Sequence, residues 1–337
     1  MVGGSGTRPN CLHPRLSLSK SDFCVIFCSL EMAYLSQART IEDLDLEISQ
    51  LRSRQDPNFP IPKILHQIWL NVDPQVPAKW LQSPTEWQRL HPGWLYILWS
   101  GDLCRNFVKK YEPGFLKRYD TYPYDIQRID AVRYCFLKHY GGLYVDLDIV
   151  PLENVEPHLM DSCETYFVNS ANISSSYTNS VMASKPGAQI WDEVLDAATT
   201  SDRWWAWGKH FTVMTTTGPM MLTEVIKDHS KTICRLPWVR FNPDGVDDIG
   251  ITAATKSGTI LKNLEGGSWH DFDTLFYNFI FRNRNLLILI VIIILCVIIY
   301  YLYIYWQGCQ QCQSVCLAPK SSGLSNARVV NSLGIGL

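Results

Sequence analysis

From Thr40 onward the apolar residues Ile41, Leu44, Ile48 and Leu51 recur at helical spacing. Thr40 suits the cap of that helix, and Glu42 and Asp43 suit the positive end of its first turn. Pro57, Pro60 and Pro62 end it. Behind them KILHQIWL reads as a short strand, VDPQVP as a loop, Trp80 to Leu90 as a helix, and WLYILWS, Trp94 to Ser100, as a second strand. Between Tyr124 and Tyr140 a stripe of Ile126, Ile129, Val132 and Phe136 predicts a helix that Gly141-Gly142 closes, and LYVDLDIV comes next as a strand. Strand and helix alternate, which predicts an α/β sheet with mostly parallel strands. No internal repeat is visible.

The pattern changes at both ends. Residues 1–39 have little periodicity and several Gly, Ser and Pro, as a loosely ordered or weakly targeting segment would. Their FCVIFCSL, Phe23 to Leu30, is too short to span a membrane and makes a poor signal anchor. At the other end LLILIVIIILCVIIYYLYIYW, Leu286 to Trp306, carries no charge in 21 residues. As a helix it reaches about 30 Å, the thickness of a bilayer's hydrocarbon layer. Fifteen of these residues are Leu, Ile or Val, each contributing up to about 0.3–0.6 kcal/mol to insertion near the centre. The run predicts a transmembrane helix, and Tyr300, Tyr301, Tyr303, Tyr305 and Trp306 at one end predict its aromatic belt.

Sidedness is divided. Arg282 and Arg284 before the helix argue for a cytosolic body. The sequon Asn172-Ile173-Ser174, and Cys309, Cys312 and Cys316 in a juxtamembrane position suited to acylation, argue for a lumenal one. The expected layout is a catalytic domain over 40–285, a transmembrane helix over 286–306 and a Cys-containing tail over 307–337, in the Golgi or another endomembrane with the catalytic domain lumenal.

Composition narrows the class. With 47% hydrophobic residues, 12 Trp, 16 Tyr and 13 Phe, the centre of the chain reads as a packed globular enzyme. A formal net charge of -2 provides no positive field for nucleic acid, and no nucleic-acid partner is expected. Most of the 11 cysteines lack neighbours at zinc-ligand spacing, and they fix no redox compartment.

The chemistry concentrates in YGGLYVDLDI, Tyr140 to Ile149. On a strand, Asp146 and Asp148 fall on one face, at the carboxyl end where open α/β sheets bind ligands. Two carboxylates there repel unless a cation lies near them, and hard oxygen ligands suit Mg²⁺ or Mn²⁺ carrying a phosphate. An acidic turn or acids paired with Lys and Arg are the alternatives. Asp130 and Arg133, three apart on the preceding helix, can form a plain ion pair or address the hydroxyls of a ligand.

RIDAVRYCFLKHYGGLYVDLDIVPLENV, Arg128 to Val155, resembles the signature of the family 32 glycosyltransferases, with its D-x-D sugar-binding region. IPKILHQIWL, NSVMASKPG from Asn179, TTGPMML from Thr216 and GGSWHDFD from Gly266 resemble further pieces, so the likeness runs from about Pro60 to Phe272. The closing SWH and the hydrophobic anchor look most like the fungal mannosyltransferases that act on inositol phosphoceramide. The resemblance implies a GT-A type fold, a retaining hexosyl transfer, a nucleotide-sugar donor with GDP-mannose foremost, Mn²⁺ (or Mg²⁺), a lipid acceptor, and room for a regulatory subunit. Hexosyl transfer to protein-linked glycans, use of a UDP-sugar, and an inactive membrane-bound regulatory protein remain alternatives.

By the same resemblance Trp69 stacks on the nucleobase, and Asp130 and Arg133 grip the donor sugar. Asp146 contacts ribose and sugar, Asp148 holds the metal, and Asn179 lines the donor pocket. Ser268, Trp269 and His270 close over the diphosphate, with His270 a second metal ligand. Trp204, Trp205 and Trp207, with Lys209 and His210, are either core or an interfacial acceptor mouth. His66, on the other face of its strand from Trp69, is expected to be structural.

Overall fold

The computed structural model describes residues 39–70, 76, 78–170, 176–201, 208–229, 232–241, 258–264, 273, 276, 279–280 and 283–316, with the backbone alone for 308–316. The sequon at Asn172, the tryptophans at 204, 205 and 207, and Ser268, Trp269 and His270 lie outside the described residues. The chain divides into two units, Met1–Asp273 and Thr274–Leu337.

In the first unit the helices are α1 (Ile41–Arg54), α2 (Gln82–Leu90), α3 (Gly101–Tyr111), α4 (Leu116–Thr121), α5 (Asp125–His139), α6 (Ile190–Thr200), α7 (Lys209–Thr216), α8 (Pro219–Ile226) and α9 (Trp238–Phe241). The strands are β1 (Ile64–Ile68), β2 (Leu95–Trp99), β3 (Gly142–Val145), β4 (Ile149–Pro151), β5 (Thr165–Asn169), β6 (Tyr177–Ser184), β7 (Ile233–Leu236) and β8 (Leu261–Asn263). Six strands form one sheet in the order β2-β1-β3-β6-β5-β7, and β4 pairs with β8 in a separate ribbon. The pairings β1–β2, β1–β3 and β5–β7 are parallel, whereas β6 runs antiparallel to both β3 and β5. The mixed sheet covered by helices, with an acid pair just past β3, is the arrangement expected of a GT-A type domain.

Alternation along each strand divides the core between the two faces of the sheet. Ile64, Ile68, Ile97, Trp99, Tyr144, Phe167 and Met182 pack with the helical layer of α1, α3, α5 and α6. Leu65, Tyr96, Leu98, Leu143, Val145, Tyr166, Val168 and Val181 pack on the other side, with Trp80, Trp87 and Phe241. The predicted Thr40 cap is a full capping box, since Asp43 answers it by accepting from the Thr40 backbone.

The turn from α5 into β3 requires glycine twice. Gly141 and Gly142 have φ of 64° and 94°. A Cβ on Gly142 would lie 2.5 Å from the Ile64 carbonyl oxygen, so only glycine lets β3 start this close to β1. His66 is structural, as expected: it is fully buried, its Nε2 lies 2.9 Å from the Gly141 oxygen, and its ring stacks beside Trp99 and Phe136. Burial lowers its pKa to about 4, which keeps it neutral.

A disulfide joins Cys163, just before β5, to Cys234 in β7, with Cα atoms 5.7 Å apart. Cysteine spacing does not suggest this pairing, because 71 residues separate the partners and only the parallel β5–β7 register brings them together.

The second unit contains α10 (Arg284–Cys316). Its segment Arg284–Gln307, 24 residues whose most apolar 18 have a mean hydropathy of 3.2 with none buried, is long and apolar enough to cross a membrane.

Candidate active site

The acid pair does not ride one strand. β3 stops at Val145; the Asp146 amide extends the ladder by donating to the Ser180 carbonyl at 2.9 Å, and its carbonyl then accepts from the Ile149 amide at 3.0 Å. Leu147 and Asp148 therefore sit in a tight turn, after which the chain leaves the main sheet and pairs with β8. This corrects the expectation of strand alternation through both acids. Their placement at the carboxyl edge of the sheet stands, and the turn gives the two side chains different surroundings.

Asp146 is heavily partnered. Arg133 Nη1 lies 3.2 Å from its carboxylate, and the Tyr144 hydroxyl donates to it at 2.7 Å. Arg133 is only 2% exposed, and its guanidinium carbon sits 4.5 Å over the Tyr144 ring. Its Nη1 also donates to the Asn179 carbonyl at 2.7 Å, while its Nη2 lies 3.0 Å from Asp130. Asp130 in turn accepts from Asn179 Nδ2 at 2.9 Å and from the Thr217 hydroxyl at 3.2 Å. Local sequence explains the convergence: α5 places Asp130 and Arg133 one turn apart, and β6 brings Asn179 in beside the end of β3.

Thus Asp130, Arg133, Asp146 and Asn179, all predicted from sequence, meet in one network. Thr217, Tyr134 and Tyr144 complete it and were not singled out. Tyr134 donates to the Thr217 carbonyl at 2.7 Å. Tyr144 was legible in principle, since it stands two residues before Asp146 on the strand that points there. Thr217 lay within the TTGPMML stretch, but nothing in its residue type distinguishes it from Thr216.

Asp148 has much less. Among the described residues no side chain hydrogen-bonds or ion-pairs with its carboxylate. Burial first, and then the Asp146 charge, push its pKa up to about 7, and Arg133 and Lys79 offset this only in part. Burial likewise raises Asp146, against Arg133 and the Tyr144 hydroxyl. Those two partners keep Asp146 the stronger acid, so a proton shared by the pair resides on Asp148. Burial also raises Asp130 to about 7 despite Arg133. Three carboxylates, Asp130, Asp146 and Asp148, therefore share one arginine, and the site is short of positive charge.

That shortage fits a divalent cation bound through hard oxygen. Among the described residues no cluster of three or more His, Cys, Asp or Glu is arranged as a complete metal site. One or two carboxylates are the usual protein share for an ion that takes its remaining ligands from water and phosphate. The fit is thus to an ion that arrives with a phosphorylated ligand.

Trp69 leaves β1 at the same edge. The register pairs His66 with Tyr144, and Gln67 Nε2 donates to the Asp146 carbonyl at 3.3 Å, so the residues after β1 flank the acid turn. Trp69 is half-buried and meets the edge of Trp80 with ring centroids 6.0 Å apart. Gln67 is a further positioning residue, held by Ser83 at 3.0 Å and Tyr96 at 2.9 Å.

Residues 77–165 match the family model described as the glycosyltransferase sugar-binding region containing DXD motif. The mannosyl phosphorylinositol ceramide synthase SUR1 of Saccharomyces cerevisiae is 30% identical over 253 residues, covering 73% of this chain and 61% of that protein. Inositol phosphoceramide mannosyltransferase 3 of Schizosaccharomyces pombe is 33% identical over 227 residues, covering 64% of this chain and 58% of that protein. The chain thus spans about three fifths of the length of these relatives. Among solved structures, a protein titled PaToxG Glycosyltransferase superposes over 62% of this chain and 80% of its own with a TM-score of 0.38 and 14% identity, too loose a likeness to align residues. The resemblance read from Arg128 to Val155 to the DXD glycosyltransferases and their inositol phosphoceramide branch stands.

Proposed function

We propose that this chain, which carries the DXD sugar-binding region of glycosyltransferases, is a membrane-anchored, divalent-metal-dependent retaining hexosyltransferase. Its donor on this reading is GDP-mannose and its acceptor a lipid of the inositol phosphoceramide type. The carrying observation is the charge imbalance at the end of β3, where three acids meet one arginine and Asp148 is left without a side-chain partner among the described residues. The activities for which these relatives are named support mannose and the sphingolipid acceptor.

The residues divide the work by their surroundings. Asp130 and Asn179, fixed by Arg133 and Thr217, offer acceptors and donors to the hydroxyls of a hexose. Arg133 keeps Asp146 ionised and in place, and Trp69 supplies an aromatic wall for the base. Asp148 would hold the divalent ion, with His270 as a second ligand, and Ser268 and Trp269 would close over the diphosphate. A bound ion supplies stabilisation of the charge that collects on the departing diphosphate. For retention, the acceptor hydroxyl attacks from the face the diphosphate leaves, and its proton passes to that diphosphate.

The Cys163–Cys234 disulfide supports a lumenal catalytic domain, since such bonds persist in oxidising compartments. A single crossing by the apolar helix keeps the domain beside its lipid acceptor. The test is release of nucleotide by the detergent-purified full chain with Mn²⁺ and a panel of GDP- and UDP-sugars, alone and with inositol phosphoceramide. Mannosylated lipid formed from GDP-mannose, and absent with Asp148→Asn, is the expected result. Turnover that is equal in the variant, or that needs no divalent ion, contradicts the proposal.

A further inference from the structure

α10 does not end where its apolar run ends. It continues as one helix through GCQQCQSVC to Cys316, ten residues past Trp306. At about 100° per residue, positions 312 and 316 fall within roughly 60° of position 309, so the three cysteines occupy one stripe of the helix. Gln313, Gly308 and Val315 border the stripe, while Gln307, Gln310, Gln311 and Ser314 take the opposite side. No charged residue occurs between Arg284 and Lys320. By helical rise the cysteines lie about 4.5, 9 and 15 Å beyond Trp306, from the level of the lipid headgroups outward.

Sidedness adds a second line. The Cys163–Cys234 disulfide belongs to a unit that folds in an oxidising compartment. A chain that crosses a bilayer once leaves its two flanks on opposite sides, so the residues beyond the apolar run of α10 face the reducing cytosol. There thiols persist as thiols, and long-chain acyl-coenzyme A is present as a co-substrate.

We infer that Cys309, Cys312 and Cys316 form a juxtamembrane S-acylation site on the cytosolic side of the membrane. A cysteine sulfur attacks the thioester carbonyl of an acyl-coenzyme A: the bond from sulfur to acyl carbon forms, the bond from that carbon to the coenzyme's sulfur breaks, and the proton leaves on the coenzyme A thiol. Acyl chains on one stripe all enter the same leaflet, which lays the Cys side of the helix against the membrane and leaves its Gln side to water. The inference rests on the membrane crossing and the disulfide, independently of the transferase reading.

The test is metabolic labelling of the full chain in eukaryotic cells with an alkyne-bearing long-chain fatty acid, then treatment with hydroxylamine, which cleaves thioesters. Wild type should carry hydroxylamine-releasable label, and mass-tag exchange should add up to three tags. Label should fall stepwise with single Ser substitutions at 309, 312 and 316 and vanish in the triple variant. Cys296→Ser, inside the apolar run, should keep it. The triple variant should still fractionate with membranes and keep the wild-type thermal midpoint, which shows that it folds. Wild type without releasable label, label that survives in the triple variant, or tail cysteines linked in disulfides would overturn the inference.

Discussion

Asp146 and Asp148 are two residues apart and chemically identical, yet they occupy opposite kinds of surroundings. Asp146 is held by a guanidinium and a phenol that are themselves buried and fully engaged. Asp148 receives no side-chain donor among the described residues and is pushed towards neutrality. On the proposed function the contrast separates two tasks that the shared motif hides: Asp146 would belong to a fixed polar wall beside the ligand, and Asp148 would be the charge kept for a cation. Burial costs all three acids stability, so what separates them is the consequence of removal: the wall's acids depend on one buried cation, whereas Asp148 depends on no side chain among the described residues.

Removing the hub of the wall should have the largest effect. Arg133→Met leaves the buried Asp130 and the partly exposed Asp146 without their cation, and a loss of about 3–5 kcal/mol is expected, chiefly from Asp130, read as a fall in the thermal midpoint of the full chain by tryptophan fluorescence. Asp148→Asn should leave folding intact and instead lower donor turnover by about 10²–10³-fold. A variant that loses stability and keeps turnover would erase the contrast.

Acidity sharpens the comparison. The folded pKa of Asp148, about 7, lies above its unfolded value, so the folded state binds the extra proton between the two. Metal-free stability should therefore fall as pH rises from about 4 through about 7. Asp130, also raised to about 7, contributes a fall of its own that Asp148→Asn keeps; the variant loses only the Asp148 share, so in EDTA its midpoint should exceed that of wild type at pH 8, and the gap should close on acidification. Mn²⁺ must displace the same proton, so its apparent Kd should rise about tenfold per pH unit below 7. The smallest effect belongs to Tyr144→Phe, which removes one hydrogen bond to Asp146 and should cost about 1 kcal/mol, with the ion's affinity unchanged.

Much of the fold was legible because its signals are local. The capping box at Thr40, the apolar stripe of α5 and the twin glycines before β3 each act within a few residues. The reversed β6 and the Cys163–Cys234 bond were not, since both depend on strand pairing between distant segments. In the site, Asp130, Arg133, Asp146 and Asn179 emerged from family likeness and spacing, and the structure joined them. The division of labour between the two acids was hidden, because strand alternation treats them as equals and only the turn at Leu147 tells them apart.

Isothermal titration of the full chain in detergent with GDP-mannose, with and without Mn²⁺ at pH 7.5, tests the central claim most directly. Wild type should bind the donor tightly only with the ion, and Asp148→Asn should lose that dependence while retaining its fold. Donor affinity that ignores the ion, or an ion dependence that survives in Asp148→Asn, would contradict the assignment of Asp148 as the cation's carboxylate.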